Sequence, residues 1–593
     1  MQSASALGAG ASRSVQRRAL AQQQRRAGSR STTNSTPTTR LFAIAQQQTQ
    51  SSSTSLSQLL EWARGRGASL DRVAVERDVL TGEELLVAAR DAAPGDALLS
   101  LAEQSQQPLW LTPAAARAAL VAGAKDPAAA TAAVDALEPW LQIAVFLIAE
   151  RARLLAGGAP SSPFSAYVAS LPEELDTPLA WSEAELAELE GTQVLATALS
   201  YRAFFDQRFE QLLASPEGAA LQASGCVPAS ALSVDALRWA AATVRARTRG
   251  DLAGDGIALV PLADAVPHRR LASAALKVSE RRGGLLGGLL GGGGGNNNAN
   301  NANSNNRVLV LEATRPLRKG DAVTIDYGPT KTEGAVLLES GALDASVEAE
   351  AAAPSVPGYS LSLSIPASDR WADDKRGVLE RAGLMPEWSD PSATVEFLLA
   401  RGGHAVSASD AAEFSARGGA TGLAALAARE GRDPLPEELL GVLRLTHLSG
   451  GDCFLLEAVF ENEVWGHMRL PISPANEEAV CAAAADGARD ALAAHRASLA
   501  DDLAELRALS GSNASSSSSS SSSSERAARR RALALRARVA EKEALEAVLA
   551  LLEARRASLE TLEYYQERRL KRLGLVKEDG STTYDGFFKD SIA

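Results

Sequence analysis

The apolar positions of this chain change period several times, and each change marks an element. Leu59-Leu-Glu-Trp-Ala-Arg64 puts its apolar residues on one side of a short helix. Leu85 to Ala89 and Ala97 to Leu101 are short apolar runs around Asp91-Ala-Ala-Pro-Gly95, a turn composition, and they predict two strands joined as a hairpin. From Pro113 to about Phe209 the period is helical, with Trp140, Ile143, Ala144, Leu147 and Ile148 on one stripe. Ser182 with Glu185 reads as a capping box that opens one of these helices. Val308 to Leu311 predicts a further strand.

At Tyr359 the pattern becomes strict alternation, Tyr359-Ser-Leu-Ser-Leu-Ser-Ile365, and then returns to a helical period over Lys375–Ala382, Pro436–Leu448 and Glu477–Leu509. A last long helix carries Leu545, Val548, Leu549, Leu552, Leu559 and Leu562, and Gly574 just past basic residues is its stop. Alanine- and leucine-rich helices of mixed charge pack as a bundle. Two low-complexity tracts, Gly283–Asn306 and Ser515–Ser524, are expected to be disordered loops. The glycine tract lacks the Gly-Lys-Ser/Thr of a phosphate loop. The arginines of Arg526–Arg538 are expected on a solvated helix face.

At 593 residues the chain is too long for one core. Its longest apolar runs, such as Ile143 to Ala149, fall short of the roughly 18 residues of a membrane span, so no membrane association is expected. The first acidic residue is Glu61, and the stretch before it holds seven arginines among serine, threonine and glutamine. Basic charge without acid and without an apolar core is how an organelle transit peptide reads, here residues 1–55. The formal net charge of −12 becomes more negative once that leader is gone, which argues against nucleic-acid binding. Cys226, Cys453 and Cys481 are few and far apart, suiting a reducing compartment without disulfides or a zinc site.

Three segments carry candidate chemistry: Leu237-Arg-Trp-Ala-Ala-Ala-Thr-Val-Arg-Ala-Arg247, then Leu259-Val-Pro-Leu-Ala-Asp264-Ala-Val-Pro-His268, then Val323-Thr-Ile-Asp-Tyr-Gly328. In this order they resemble the catalytic half of a SET domain of the Rubisco large-subunit lysine methyltransferase family. The resemblance implies an α+β fold: a SET-type β fold over 58–345 with a helical insert at about 113–235, then a mostly helical substrate-binding domain over 355–575 containing a poly-serine loop at 510–525, and a tail at 576–593. It implies S-adenosylmethionine as cofactor, a protein substrate or partner held by the C-terminal helical domain, and a chloroplast stromal location. Tyr327 takes the place of the pocket tyrosine. Arg247 takes that of the arginine against the cofactor carboxylate, and Asp264 and His268 match the ends of an Asp-x-x-Asn-His segment that lines the cofactor pocket.

Several positions depart from the family pattern. Pro267 stands where the family has asparagine, which removes an amide side chain and a backbone donor. Glu83 and Leu85 replace glycines, Glu333 ends the Lys331-Thr-Glu333 that replaces Lys-Ser-Asn, and Ser340 and Ala342 replace an expected tyrosine and phenylalanine. Two functions therefore follow: a protein-lysine N-methyltransferase, or a catalytically degenerate SET-fold subunit that binds a stromal protein complex.

Overall fold

The computed structural model describes residues 55–77, 84–103, 108–158, 162–248, 257–280, 307–344, 356–386, 392–402, 435–457, 463–513 and 522–576. The expected leader, the Gly/Asn tract, Glu83 and most of the tail lie outside these residues.

Among the described residues, seven strands form three small antiparallel sheets. β1 (Val73–Arg77) pairs with β2 (Glu84–Ala88), and β3 (Ala97–Ala102) pairs with β5 (Arg307–Ala313), which also pairs with β4 (Ala274–Glu280). β6 (Pro357–Leu363) pairs with β7 (Val395–Ala400). The two strands expected as a hairpin across Asp91–Gly95 both exist, but they belong to different sheets. Each finds a partner elsewhere in the chain: Val73 faces Ala88, and Leu101 faces Leu309. The turn between them instead bridges to Leu317 through Ala92. The alternation in β5 buries Leu309, Leu311 and Ala313 on one face.

Helices cover the sheets and build three apolar cores. The first holds β3, β5 and the Pro139–Leu155 helix, which is buried over more than its predicted stripe, from Ile143 through Ala149. The Ser182–Glu185 capping box is present at the start of the Glu183–Ala187 helix. A second core gathers the C-terminal strands and helices, and a third joins Leu175–Ala198 to Leu337, Leu338 and Leu533–Ala537.

The predicted 477–509 helix is two helices, Pro474–Ala494 and Leu499–Asn513. Ser498 Oγ accepts from Asp501 N at 3.2 Å and donates to Asp501, a serine-aspartate box that starts the second helix. The last long helix runs over Ser522–Ala557, a 3₁₀ turn follows at Leu559–Thr561, and a separate helix, Tyr565–Arg572, ends before Gly574 at φ 70°. Ser510–Asn513 and Ser522–Glu525, expected within the poly-serine loop 510–525, are helical, and the residues between them lie outside the described residues.

Within Arg526–Arg538, the side chains of Arg526, Arg529 and Arg531 reach solvent as expected, but the reading of a solvated face fails for Arg530 and Arg538. The first half of the long helix packs on the third core and its second half on the second core. Arg530, 7% exposed, bonds Asp176 at 3.2 Å, Glu185 at 3.1 Å and the Leu175 carbonyl at 3.1 Å. Arg538 is buried on Asp502 and donates to the Glu188 carbonyl at 3.0 Å, and Lys542 shares Asp502. Lys542 also donates to the Ala497 carbonyl at 2.7 Å. Charge patterning alone does not reveal that the acids of the helical insert stand opposite these arginines. β6 meets the same helix so closely that a Cβ on Gly358 would lie 2.2 Å from the Ala540 carbonyl.

Removing Asp502 leaves two buried cations sharing no carboxylate. Asp502→Ala is expected to cost about 3–5 kcal/mol, read as a fall in the urea midpoint at unchanged slope. Arg538→Met, which leaves Asp502 with Lys542, is expected to cost less; equal losses would show that Asp502 is not the shared anchor.

Candidate functional site

The Val234–Arg247 helix starts at Ser233, whose Oγ accepts from Ala236 N, and ends in two arginines, where cations suit the helix C-terminus. Its last turn sends them apart. Arg245 lies over the Tyr201 ring at 4.2 Å and pairs with Glu339 at 3.4 Å. Arg247 instead faces Asp264, with Nη1 3.6 Å from Oδ2.

Asp264 sits on a 3₁₀ turn, Ala263–Ala265, entered through Leu262. Leu262 is fully buried and holds φ at 73°, a left-handed backbone that costs a leucine strain energy. That turn sets the Asp264 carboxylate between Arg247 and Tyr167, whose hydroxyl donates to Oδ2 at 2.5 Å. Tyr167 comes from the short Ser165–Ser170 helix, and no candidate role was legible for it in the sequence. Burial works to lower the Arg247 guanidinium, and Asp264 with the Tyr167 and Tyr327 hydroxyls outweighs it, so its pKa is raised and it is a permanent cation.

The chain then crosses itself. The segment around His268 runs parallel to that around Ile325: Ile325 N donates to the Pro267 carbonyl at 3.1 Å, and Arg269 N to the Ile325 carbonyl at 3.0 Å. The crossing uses the carbonyl of Pro267, so proline is tolerated in this ladder although it has no N–H.

Tyr327 emerges from the crossing beside His268. Its amide donates to His268 Nδ1 at 3.2 Å, the two rings stack with centroids 5.1 Å apart, and its hydroxyl donates to the Val266 carbonyl at 2.7 Å. With its hydrogen committed to the main chain, the Tyr327 oxygen presents lone pairs. With Nδ1 accepting, His268 carries its proton on Nε2, a buried atom without a hydrogen-bond partner among the described residues.

A third group stands behind the turn. Arg270, 5% exposed, bonds Glu333 at 3.0 Å, Asp326 at 3.3 Å, and the carbonyls of Gly328 and Lys331 at 2.9 Å each. Glu333 therefore has its own counter-ion. Burial nevertheless raises its carboxyl pKa, with Arg270 and Arg401 opposing and Asp344 adding. Ser340 donates to the Val336 carbonyl at 2.7 Å in its own helix, Glu333–Ser340. Leu85 is half-buried in β2. Among the described residues no cluster of three or more His, Cys, Asp or Glu could hold a metal ion, and no single helix is long and apolar enough to cross a membrane.

Burial, then the Arg270 cation, pushes the His268 imidazole from its ordinary 6.5 down to about 4, against Asp326 and Asp344. The folded value lies below the unfolded one. The stability from burying a neutral ring is therefore fully present above pH 6.5 and is lost as pH falls through about 4. NMR titration should find His268 neutral down to about pH 4; a midpoint near 6.5 would mean that the ring is open to water.

Comparison with known proteins agrees with this geometry. The family described as Rubisco LSMT substrate-binding matches residues 366–545. The chain is 27% identical over 524 residues to the chloroplastic fructose-bisphosphate aldolase-lysine N-methyltransferase of Arabidopsis thaliana, covering 88% of each. It is 26% identical to the chloroplastic Rubisco large subunit N-methyltransferase of Nicotiana tabacum, covering 88% of this chain and 87% of the relative. A crystal structure of the SET domain of LSMT bound to lysine and AdoHcy superposes with a TM-score of 0.60 at 26% identity, over 89% of this chain and 98% of the other. Rubisco LSMT bound to AdoMet gives 0.58 at 25% identity, over 90% and 99%. With Pro267–Arg269 set beside Ile325 and a C-terminal region that matches the Rubisco LSMT substrate-binding model, the chain is similar over 88% of its length to the lysine methyltransferases of the Rubisco large-subunit methyltransferase type, and its fold is that of their SET-domain structures.

Proposed function

We propose that the chain is an S-adenosylmethionine-dependent protein-lysine N-methyltransferase acting on a plastid protein. The observation that carries this reading is convergence. Arg247, Asp264, His268 and Tyr327, spread over 81 positions, are joined by the Arg247–Asp264 pair, the Tyr327–Val266 bond and the His268–Tyr327 stack. The relatives named as an aldolase-lysine N-methyltransferase and a Rubisco large subunit N-methyltransferase, and the AdoMet- and AdoHcy-bound structures, support the same chemistry.

The residues present fit the cofactor. Arg247, 21% exposed, offers a guanidinium to a carboxylate, and the buried His268 Nε2 has no hydrogen-bond partner among the described residues. When bound, the cofactor supplies an electrophilic methyl group on a sulfonium. The chain's part is to bring a neutral lysine amine in line with it and to keep water out. The Tyr327 oxygen and the Val266 carbonyl it bonds present acceptor lone pairs to an amine, orienting it and stabilising the charge that develops on nitrogen. The helical region over 355–575 would hold the protein substrate, with 58–345 as the SET domain. Residues 1–55 would direct import into the chloroplast, to the stroma.

A second reading has its own observation. Ser340, where a second pocket tyrosine is expected, bonds its own helix and contributes nothing toward an amine. A chain that binds cofactor or protein partner but transfers no methyl group would be an interaction subunit.

Calorimetric titration of the full chain with S-adenosylmethionine is expected to show micromolar binding, about −8 kcal/mol. Labelled methyl transfer is then assayed with aldolase and Rubisco large subunit as probes. Tyr327→Phe should lower kcat at least roughly 100-fold with cofactor affinity nearly unchanged. Binding without transfer to any lysine of a plastid extract would favour the interaction subunit, and absence of binding at millimolar cofactor would remove the enzyme.

A further inference from the structure

We propose that Arg270 is the positioning residue of the Asp326-Tyr327-Gly328 turn: its guanidinium binds the turn, the segment after it and Glu333 at once, and so fixes where the Tyr327 ring and the His268 ring stand. The claim about geometry stands on the structure alone, and the claim about rate rests on the proposed methyltransferase activity.

The bonds of Arg270 are distributed in a telling way. Nη1 reaches Asp326 Oδ1 at 3.3 Å and the Gly328 carbonyl at 2.9 Å, so one nitrogen holds the residues on both sides of Tyr327. Nη2 donates to the Lys331 carbonyl at 2.9 Å, and Nε to Glu333 Oε1 at 3.0 Å. Asp326 Oδ1 also accepts from Gly328 N at 3.0 Å, which closes the turn on itself. The Arg270 amide is held in turn by Asp344 Oδ2 at 2.8 Å.

A planar fork with donors in fixed directions can satisfy these acceptors together, and a lysine ammonium, a single point of charge, cannot. A buried ion pair of this kind adds little net stability when compared with apolar packing. What distinguishes this one is its target, since both carbonyls and one of the two carboxylates it holds belong to the turn carrying Tyr327 or the segment just beyond. Charge acts in the same place. The groups facing His268 are Arg270, Asp326, Asp344 and the stacked Tyr327, and the Arg270 cation opposes protonation of a ring whose Nδ1 must stay free to accept the Tyr327 amide.

The test uses the full chain and the variants Arg270→Met, Arg270→Lys and Glu333→Gln, with three readouts. These are hydrogen exchange at the Tyr327 amide, the ring ¹⁵N shifts and titration of His268, and methyl transfer from S-adenosylmethionine. In Arg270→Met the Tyr327 amide should exchange at least roughly tenfold faster while amides of the β6–β7 pair are unchanged. The His268 midpoint should rise, because the cation that opposes its protonation is gone. Turnover should fall about 100-fold, with a smaller loss of S-adenosylmethionine affinity because the His268 ring loosens with the turn.

Arg270→Lys, which keeps charge without the fork, should hold the His268 midpoint near its original value yet retain the fast Tyr327 exchange and slow turnover. If Arg270→Met does not fold, Glu333→Gln keeps the cation and weakens one arm, and a Tyr327 exchange about threefold faster is expected. Unchanged Tyr327 exchange in the folded variants, full turnover in Arg270→Lys, or loosening spread equally over every core would overturn the proposal. If the unmodified chain transfers no methyl group, the activity falls separately, and exchange and titration still decide the role of Arg270.

Discussion

Asp502 is the point on which the assembly of this chain turns. Its carboxylate is shared by Arg538 and Lys542 inside a contact that excludes water, and a charge placed there is tolerable only when its partners are complete. That requirement fixes the rotation of the 36-residue Ser522–Ala557 helix about its axis. With the rotation set, Glu541 meets the first amide of the Gln193–Ala214 helix at 3.0 Å. The Gln193 side chain in turn bonds both backbone groups of Ser360 in β6. One helix thereby registers the insert against the C-terminal strands. The same helix packs on the Glu333–Ser340 helix that follows the Tyr327 turn, so the site rests on a contact made some 200 positions further along the chain.

At the site itself, charge is handled in closed groups. Arg247, Asp264 and Tyr167 form one, and Arg270, Glu333 and Asp326 another, with the His268–Tyr327 stack between them. This arrangement changes the meaning of two departures in the sequence. Glu333 is a poor replacement for an asparagine taken singly, yet it is matched by Arg270, whose other bonds hold the Tyr327 turn. Pro267 loses a donor, yet the crossing asks of it only an acceptor. Ser340 has no such counterpart, because its hydroxyl is consumed by its own helix.

Much of the fold was legible because local signals and tertiary needs agreed. The capping box at Ser182, the strand at Val308–Leu311 and the stop at Gly574 are set by residues within a few positions of one another. Pairing was not legible in this way: the Leu85 and Ala97 strands carry good strand signals, but nothing in a short loop says that their partners lie at Val73 and more than 200 residues on. Arg530 and Arg538 failed for a related reason, since a basic helix looks solvated until Asp176, Glu185 and Asp502 are placed against it. Arg247, Asp264, His268 and Tyr327 were legible as candidates only through the resemblance of their segments to those of a SET domain. Tyr167 and Arg270 were not, because a tyrosine in a short helix and an arginine after a histidine acquire significance only once the chain crosses itself.

The cost of the site bears on how it is used. Leu262 holds a left-handed backbone, and His268 Nε2 is buried without a hydrogen-bond partner among the described residues. The Arg247–Asp264 and Arg270–Glu333 pairs take charges out of water for little net gain. Each would be removed at a gain or no loss by a glycine, an apolar ring or a pair of leucines if the region served only to fill space. All four lie around the crossing that carries Tyr327, whereas the first apolar core behind it, with Leu98, Leu101, Leu111 and Phe146, contains residues that packing alone explains. Strain, a buried ring nitrogen without a partner among the described residues and closed charge groups gathered in one place are what a binding pocket for a charged, polar ligand requires, and they favour a site that holds such a ligand over a scaffold from which the site has gone.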